Sequence, residues 1–433
     1  MREVTKMSDR SGTAEGTPEE VVARIQPGNR VFVHGAAATP QALLRELVRQ
    51  APRLQGVELI HLHTEGPAPY ASDPELRRHF RTVNLFVGSN IRPFINGDEV
   101  DYLPCFLSEI PALFRTGKRS IDVALLSLSP VDAHGFHTLG TSVDVARAAA
   151  DCAKVVLAQV NSRLPRLHGD GYLHHSKLSA FCQVDETLPG PSGALPAPSP
   201  LEQALAKNVA SLIEDGSCLQ VGIGAIPNAV LAALSNHRHL GVHTEMFSDG
   251  LLPLLHSGAV DNSLKKVHPG KTVASFLLGS RTLYDFVDGN PSVILLGADY
   301  VNHPNTIARN PKAVAINSAV EIDLTGQVCA DSVGHRLISG VGGQMDFMRG
   351  ASLSPGGKAI LALSSRTSKG KARIVAELKP GAGVVTTRAH VQWVVTEYGI
   401  ADLSGKTLGE RRRELIRIAH PEDRELLGKS GAS

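Results

Sequence analysis

Four short segments in the first half of the chain recur, in the same order, in the second half. Residues 28–35 match 216–224, 56–65 match 241–245, 123–127 match 314–318, and 154–158 match 358–362. The first pair joins an aliphatic run to a glycine and is followed by a proline and an apolar helical pattern. Such an internal repeat predicts a duplicated α/β unit. An alternative stays open, because any two α/β domains share strand, turn and helix patterns of this kind.

Short aliphatic runs alternate with helical patterns along the chain. RVFVHG precedes TPQALLRELVRQA in the first half, and CLQVGIGA precedes PNAVLAALSN in the second. Aromatic residues make up only 4% of the chain and glycines number 41, so we expect cores of Val, Ile, Leu and Ala. These patterns predict an α/β fold of two similar open, mainly parallel domains. Charges mixed with spaced Leu and Ile over residues 407–427 predict a terminal amphipathic helix, interrupted or ended near Pro421.

A proline-rich, nearly uncharged segment separates the two units. Residues 188–200 have the sequence LPGPSGALPAPSP, which is the composition of an extended linker. We therefore expect an N-terminal α/β domain over residues 21–187 and a C-terminal α/β domain over residues 201–433. Residues 1–20 are polar and mixed in charge, and we expect them to be disordered.

Charge and apolar patterning exclude several classes of partner. The formal net charge is +2, with 44 Lys and Arg against 42 Asp and Glu, which argues against a nucleic-acid surface. The longest apolar stretches fall well short of the ~20 residues that a membrane span requires. The N-terminus lacks the apolar core of a secretory signal, so we expect a cytoplasmic location. The five isolated cysteines have no CxxC spacing and predict neither disulfides nor a zinc site.

Two glycine-rich loops in the second half are candidate ligand contacts. In residues 221–228, VGIGAIPN, a strand runs into Gly-x-Gly and then a helix, which offers backbone N–H groups to an anion or a thioester oxygen. In residues 339–344, SGVGGQ, three glycines permit close backbone approach to a ligand. Neither loop matches the dinucleotide fingerprint or the P-loop. Tight turns that serve packing alone are the alternative.

A glutamate at the predicted end of a strand is the candidate catalytic residue. Glu245 lies in the segment HTEMFSDG, residues 243–250, after an apolar run, at the sheet edge where open α/β folds place their sites. A carboxylate there can act as a nucleophile, a general base or a loop-capping group. The repeat offers a rival, Glu65 in the segment HTEG, and periodicity does not choose between them. His61 and His63 lack acidic or thiolate partners at metal-ligand spacing, so we predict no metal site.

Motifs spread along the chain carry a family resemblance. They are DYLP at 101–104, LSEIP at 107–111, SPVDAHGF at 129–136, GIGAIP at 222–227, HTEMFSDG at 243–250, SGVGGQ at 339–344 and TEYGIA at 396–401. With these motifs the chain resembles the acetyl-CoA hydrolase/transferase group of family I CoA-transferases over about residues 20–428. The resemblance implies a pair of similar open α/β domains, which agrees with the repeat.

The resemblance also implies roles for particular residues. Glu245 matches the family's nucleophilic glutamate, which favours it over Glu65. The family's CoA-binding positions are matched by Gly222, Ile223, Gly224, Ala225, Ile226, Val320, Gly343 and Lys369, with Lys371 as an alternative to Lys369. CoA or acyl-CoA is implied as a substrate, with no permanently bound cofactor and no metal. Small carboxylates are the implied second substrates, and a homodimer is the implied assembly.

The leading hypothesis is a CoA-transferase that moves CoA between an acyl-CoA and a free carboxylate, with acetate as a partner. The resemblance implies that Glu245 attacks the thioester, forming a mixed anhydride and then a glutamyl-CoA thioester, which gives ping-pong kinetics. Backbone N–H groups of the glycine-rich loops would stabilise the tetrahedral oxyanions. One alternative is hydrolysis of acyl-CoA by water at the same intermediate. Another is a catalytically idle α/β protein that binds CoA.

Overall fold

One open sheet in each half of the chain forms the frame of the molecule. The computed structural model describes residues 13–190, 197–222 and 224–430. The strands of the first half are β1 (Ala14–Glu15), β2 (Arg30–Val33), β3 (Val57–His61), β4 (Phe80–Asn84), β5 (Val100–Tyr102), β6 (Val123–Leu128), β7 (Phe136–Thr138), β8 (Val155–Asn161), β9 (His168–Gly169), β10 (Tyr172–His174) and β11 (Ala180–Val184). Its helices are α1 (Pro18–Val22), α2 (Gln41–Arg49), α3 (Pro69–Ser72), α4 (Ile110–Arg115) and α5 (Ala146–Cys152).

The second half has its own strands and helices. The strands are β12 (Cys218–Val221), β13 (Gly241–Val242), β14 (Met246–Phe247), β15 (Thr272–Ala274), β16 (Phe276–Leu277), β17 (Val293–Leu295), β18 (Ala313–Asn317), β19 (Glu321–Asp323), β20 (Val328–Cys329), β21 (Ser332–Val333), β22 (Arg336–Leu337), β23 (Lys358–Ala362), β24 (Ile374–Val375), β25 (Trp393–Thr396) and β26 (Gly399–Asp402). The helices are α6 (Pro200–Ala210), α7 (Ala225–Ala233), α8 (Leu252–His256), α9 (Arg281–Val287), α10 (Ala298–Val301), α11 (Pro304–Ala308), α12 (Gln344–Leu353), α13 (Leu408–Ile418) and α14 (Pro421–Lys429).

The main sheet of the first half is parallel throughout. Its eight strands lie in the order β1-β11-β8-β6-β2-β3-β4-β5, and every neighbouring pair is parallel. Strand β6, VALLSL, is buried at every position, as expected for a parallel strand that is covered on both faces. Because the strands share one direction, the loops that follow them meet at a single edge of the sheet.

The main sheet of the second half repeats this arrangement. Its order is β13-β12-β18-β23-β25-β26, and only the last pair is antiparallel. The four segments of the sequence repeat fall on β2, β3, β6 and β8 in one half and on β12, β13, β18 and β23 in the other. These strands have the same neighbours in both sheets, β3-β2-β6-β8 and β13-β12-β18-β23. The predicted duplicated, mainly parallel α/β fold is therefore confirmed.

Backbone hydrogen bonds join the two halves directly. Strand β9 of the first half pairs with β17 of the second, and the N–H of Leu277 donates to the carbonyl of Thr141 at 2.8 Å. A single apolar cluster includes buried side chains of both halves, such as Phe32 and Leu126 with Leu219. The sheet edges that carry the loops are thus held together in one body.

The chain before residue 21 is ordered where the structure describes it. We expected disorder over residues 1–20, but β1 pairs with β11 and a capping box of Thr17 and Glu20 begins α1. The prediction is wrong for residues 13–20, because the edge pairing and the buried valines of α1 attach this segment to the sheet. Residues 1–12 lie outside the described residues.

The predicted linker is described only at its two ends. Residues 191–196 lie outside the described residues. The carbonyl of Pro189 accepts a hydrogen bond from the Tyr284 hydroxyl at 2.6 Å. Ser199 caps helix α6 and Pro200 is the first residue of that helix, so Pro200 belongs to the second unit instead of the linker.

The predicted terminal amphipathic helix is interrupted before Pro421, so residues 408–429 form two helices. Helix α13 ends at Ile418, and α14 begins at Pro421, which occupies the first helical position, where its missing N–H costs no hydrogen bond. Among the helices within the described residues, none combines the length and the apolar character needed to cross a membrane.

Candidate active site

The main chain at Glu245 is fixed by both halves. Glu245 follows β13, and its carbonyl accepts hydrogen bonds from the N–H groups of Ser275 at 2.9 Å and Phe276 at 3.1 Å. The carbonyl of Ser275 in turn accepts from the N–H groups of Val143 and Asp144 of the first half, both at 3.1 Å. The position of Glu245 therefore depends on the contact between the halves.

Two neighbours hold the Glu245 carboxylate. The Asn302 side-chain amide, at the end of α10, donates to Glu245 Oε2 at 2.7 Å. The backbone N–H of Gly343, at the N-terminus of α12, also donates to this carboxylate. A Cβ atom at Gly343 would lie 1.8 Å from Glu245 Oε2 and 2.2 Å from Asn302 Nδ2. Glycine is thus the residue that admits both side chains here.

The surroundings of Glu245 keep its carboxyl group near the middle of its titration at neutral pH. Burial raises the pKa of Glu245 to about 7, opposed first by the hydrogen bond from Asn302. The charges of Asp346 and Asp144 raise this pKa further, and the Gly343 N–H lowers it. Burial has the largest effect, so the ionised carboxylate is poorly solvated and more basic than an exposed one, which suits a nucleophile.

A second buried carboxylate links the site to the first half. Asp346, in the first turn of α12, accepts hydrogen bonds from the Ser108 hydroxyl at 2.8 Å and the Ser108 N–H at 3.1 Å. Burial raises the pKa of Asp346 to about 7, while Ser108 and then Asn302 lower it by hydrogen bonding. Asn302 therefore lies close to both carboxylates, and the bond that its amide donates to Glu245 at 2.7 Å restrains its orientation.

Residues of the first half also make hydrogen bonds to the glycine loop of the second half, residues 339–344. The N–H of Val341 donates to the Tyr102 hydroxyl at 2.9 Å, and the carbonyl of Gly342 accepts from the N–H of Leu107 at 3.1 Å. Gly342 has a φ of +57°, and a Cβ there would lie 3.2 Å from the Phe86 ring. The loop is shaped by these contacts, and they bring Gly343 against Glu245.

Both halves line one cavity beside Glu245, of about 460 Å³, which we call the central cavity. The first half contributes the loops after β3 and β4, including His63, Glu65, Phe86 and Arg92, and the second contributes Gly222, Glu245 and the glycine loop. Carboxyl ends of parallel strands from two sheets thus meet at one cleft, which is where α/β proteins bind ligands.

Three of the residues predicted from the sequence lie together. Glu245, Gly222 and Gly343 all line the central cavity, and so does Glu65, the rival of Glu245. Glu65 differs in its surroundings: burial raises its pKa, and no hydrogen bond of its carboxylate to another described residue is present. Of the two glutamates, only Glu245 receives the N–H donors of Asn302 and Gly343.

The other residues of the first predicted loop flank the cavity. Gly224 and Ala225 are exposed at the start of α7, and Ile226 is half-buried. Gly224 has a φ of +117°, which favours glycine at the turn into this helix. Ile223 lies outside the described residues.

The remaining predicted contacts lie farther along the second half. Val320 is half-buried, and its N–H donates to the carbonyl of Cys329 at 2.8 Å. Lys369 and Lys371 are both exposed, in a turn closed by a hydrogen bond from the Thr367 N–H to the Lys371 carbonyl. Among the described residues, the lining of the central cavity includes none of these three side chains.

Sequence reasoning missed the partners of the candidate nucleophile. Ser108 lies inside the LSEIP motif and Asp346 lies two residues after the SGVGGQ motif, so the motifs of the family resemblance could have pointed to both. Asn302 lies in no recognised pattern, and it reaches Glu245 across a separation of 57 residues. Only the packing of α10 against the site brings it there.

Fold and site together define a duplicated α/β protein with a partly buried carboxylate between its halves. The acetyl-CoA hydrolase/transferase N-terminal domain matches residues 1–192, and the C-terminal domain of the same family matches residues 279–430. The chain belongs to the acetyl-CoA hydrolase/transferase family.

Relatives and solved structures agree with this membership. A succinyl-CoA:acetate/propanoyl-CoA:succinate CoA transferase of Fasciola hepatica is 49% identical over 95% of this chain and 86% of its own. The 4-hydroxybutyrate coenzyme A transferase of Clostridium kluyveri is 46% identical over 95% of each. The crystal structure of RipA from Yersinia pestis covers 96% of each chain at 32% identity with a TM-score of 0.90. That of 4-hydroxybutyrate CoA-transferase from Porphyromonas gingivalis covers 96% of each at 38% identity with a TM-score of 0.82.

Proposed function

We propose that this chain transfers CoA from an acyl-CoA to a free carboxylate through covalent chemistry on Glu245. The observation that carries the proposal is the Glu245 carboxylate, oriented by the Asn302 amide at 2.7 Å and open to a cavity between the halves. An oriented, poorly solvated carboxylate is what nucleophilic attack on a thioester requires.

The proposed reaction has four acyl-transfer steps. Glu245 attacks the thioester carbonyl, giving an acyl-glutamyl anhydride and CoA thiolate, and the thiolate then attacks the glutamyl carbonyl to release the first carboxylate. The incoming carboxylate attacks the resulting glutamyl-CoA thioester, which forms a new anhydride and frees the thiolate again. Attack of the thiolate on the new acyl carbonyl yields the product acyl-CoA and restores Glu245. The energy of the thioester bond is kept on the enzyme throughout.

The donors around Glu245 suit the charge that develops in these steps. Attack at the glutamyl carbonyl places negative charge on a carboxyl oxygen of Glu245, within reach of the Asn302 amide and the Gly343 N–H. Removing one such donor typically costs ~10²–10³ in rate. Carboxylate and thiolate chemistry suffices for all four steps, so we propose that CoA enters as a substrate and that no permanently bound cofactor takes part.

Small carboxylates are the proposed second substrates. The two relatives above are named for acetate, succinate, propanoyl and 4-hydroxybutyrate groups, and a Butyryl-CoA:acetate CoA-transferase of Anaerostipes caccae is 32% identical over 95% of this chain. Acetate is therefore the first acceptor to test. A homodimer and a cytoplasmic location stay predictions from the sequence.

The covalent adduct tests the proposal. Mass spectrometry of the protein incubated with acetyl-CoA should show a CoA adduct on Glu245, and Glu245→Ala should abolish both adduct and transfer. Glu65→Gln is the matched control, because it alters the equivalent carboxylate in the same cavity and should keep the adduct. An adduct that persists in Glu245→Ala would overturn the proposal, and CoA binding without any adduct would favour an idle CoA-binding protein.

Net hydrolysis is the second candidate. A protein named Acetyl-CoA hydrolase, from Candida glabrata, is 24% identical over 95% of this chain, whereas the two transferases above are 49% and 46% identical over the same share. Thiol release from acetyl-CoA without any added carboxylate would favour hydrolysis. Formation of a new acyl-CoA from an added carboxylate, with no free thiol released, would favour transfer.

A further inference from the structure

The central cavity contains one guanidinium that has no partner. Arg92 begins the short 3₁₀ turn Arg92–Phe94 that follows β4, and its side chain lines the cavity. Its Nε atom is buried without a hydrogen bond. Within the described residues, no hydrogen bond or ion pair of this guanidinium is present.

An unpartnered, partly buried guanidinium points to an anionic ligand. Arginine stays charged at any working pH, and burying one of its N–H groups without an acceptor costs free energy. An anion that enters the cavity would supply the missing acceptor. A carboxylate fits best, because its two oxygens match the fork of the guanidinium in a bidentate pair.

The charges of the cavity make such a residue necessary for a carboxylate substrate. Glu65 is an acidic side chain of the lining, whereas Glu245 is an uncharged thioester when the free carboxylate enters. Arg92 is the one Lys or Arg of that lining among the described residues. Burial lowers the pKa of His63, against the charge of Asp144, which disfavours a positive charge on this neighbouring side chain. If Arg92 were absent, a free carboxylate that enters would meet the acidic side chain of Glu65 without a compensating positive charge.

The phosphates of CoA are a less suitable ligand for Arg92. The pantetheine arm separates the thioester from the pyrophosphate by a long extended chain, and the thioester must reach Glu245 inside a cavity of only about 460 Å³. The phosphates then lie outside the cavity, whereas the buried Nε of Arg92 lies in its wall. The reacting acid, in contrast, must enter the cavity to reach Glu245.

We propose that Arg92 is the recognition residue for the free carboxylate substrate, holding it in the central cavity before it attacks the glutamyl-CoA thioester. The proposal rests on the proposed CoA-transferase function. By reversibility, Arg92 also holds the carboxylate released in the first half of the reaction. The ligand class is a small monocarboxylate or dicarboxylate.

Ping-pong kinetics let the two substrates be tested separately. With butyryl-CoA as the donor, we expect Arg92→Gln to raise the KM for acetate roughly tenfold to a hundredfold, the range for losing a charged hydrogen-bonded pair. The KM for butyryl-CoA and the amount of CoA adduct on Glu245 should stay at the wild-type values. Arg92→Lys should restore part of the acetate affinity, because it keeps the charge without the fork. Arg24→Gln, an exposed arginine outside the cavity lining, is the matched control.

Glu65→Gln gives an independent test, because it removes a negative charge from the cavity lining, whereas Arg92→Gln removes a positive one. Removing this carboxylate from the same wall should lower the KM for acetate. An unchanged KM for acetate in Arg92→Gln would overturn the proposal, and so would a rise confined to the KM for butyryl-CoA, which would assign Arg92 to CoA. A wild-type protein that forms no adduct would instead refute the proposed function, so the two failures are distinguishable.

Discussion

Gly343→Ala is the substitution whose effect the geometry defines most sharply. The new Cβ would lie 1.8 Å from Glu245 Oε2 and 2.2 Å from Asn302 Nδ2, far inside contact distance. The backbone at Gly343 has a φ of −96°, which alanine adopts, so strain of the main chain is not the cause of any loss. The methyl group must displace the carboxylate, the amide or the start of α12.

The magnitude follows from the bond that is broken. Losing a hydrogen bond to a charged group costs about 1.5–3 kcal/mol, which corresponds to roughly tenfold to 150-fold in rate at about 1.4 kcal/mol for each factor of ten. A displacement of the nucleophile by about 1 Å has a similar effect, near a hundredfold. We therefore expect adduct formation on Glu245 to slow about a hundredfold.

Single-turnover mass spectrometry with acetyl-CoA measures this rate directly. Gly428→Ala in α14 is the matched control, since a Cβ there meets nothing within 4 Å, and it should leave the rate unchanged. Thermal melting of both variants separates lost chemistry from lost folding. A folded Gly343→Ala protein that forms the adduct at the wild-type rate would refute the account of why glycine occupies this position.

Three further predictions follow from the same groups. The rate of adduct formation should rise with pH through about 7, because the ionised form of Glu245 is the nucleophile. In pH profiles, Asp346→Asn should move the midpoint to lower pH, because the charge of Asp346 raises the pKa of Glu245. Asn302→Ala should move it to higher pH, because the Asn302 amide lowers that pKa. Ser108→Ala should lower the free energy of unfolding by about 1–3 kcal/mol in urea titrations, since a buried Asp346 oxygen loses its donor. Glu245→Gln should be more stable than wild type at pH 8 by up to about 3 kcal/mol. The folded-state pKa of Glu245 is raised, so stability falls as pH increases from 4.5 to about 7, and the advantage should vanish at pH 4.

The repeat predicted the frame of the molecule because the repeated segments take the same order within the sheet in both halves. Segments such as 123–127 and 314–318 are short aliphatic runs, and their burial in parallel sheets gives them the same neighbours. Residues 13–20 were predicted wrongly, since their polar composition conceals an edge strand and a helix start that depend on pairing with β11. Composition alone does not report a tertiary contact of that kind.

The candidate site was predicted only as far as local motifs extend. Glu245 and Gly343 stand in recognisable segments, but the bond between Ser108 and Asp346 joins residues that are 238 positions apart. The role of Arg92 was likewise not predicted, because a single arginine after a strand has no distinguishing spacing. Such residues acquire a role from the meeting of two sheet edges, which no local pattern encodes.

The two repeated glutamates show how one scaffold position can serve two purposes. Glu65 and Glu245 follow equivalent strands and line the same cavity. The contacts at Glu65 involve its backbone: its N–H donates to the Thr39 hydroxyl at 3.0 Å, and its carbonyl accepts from Gln41. At Glu245 the carboxylate itself receives the Asn302 amide at 2.7 Å. A nucleophile needs fixed oxygens and a donor for the developing oxyanion, whereas a carboxylate that only adjusts the charge of the cavity needs neither. Substituting Asn302 should therefore impair adduct formation. Substituting Glu65 should change the affinity for the carboxylate substrate and leave adduct formation unchanged.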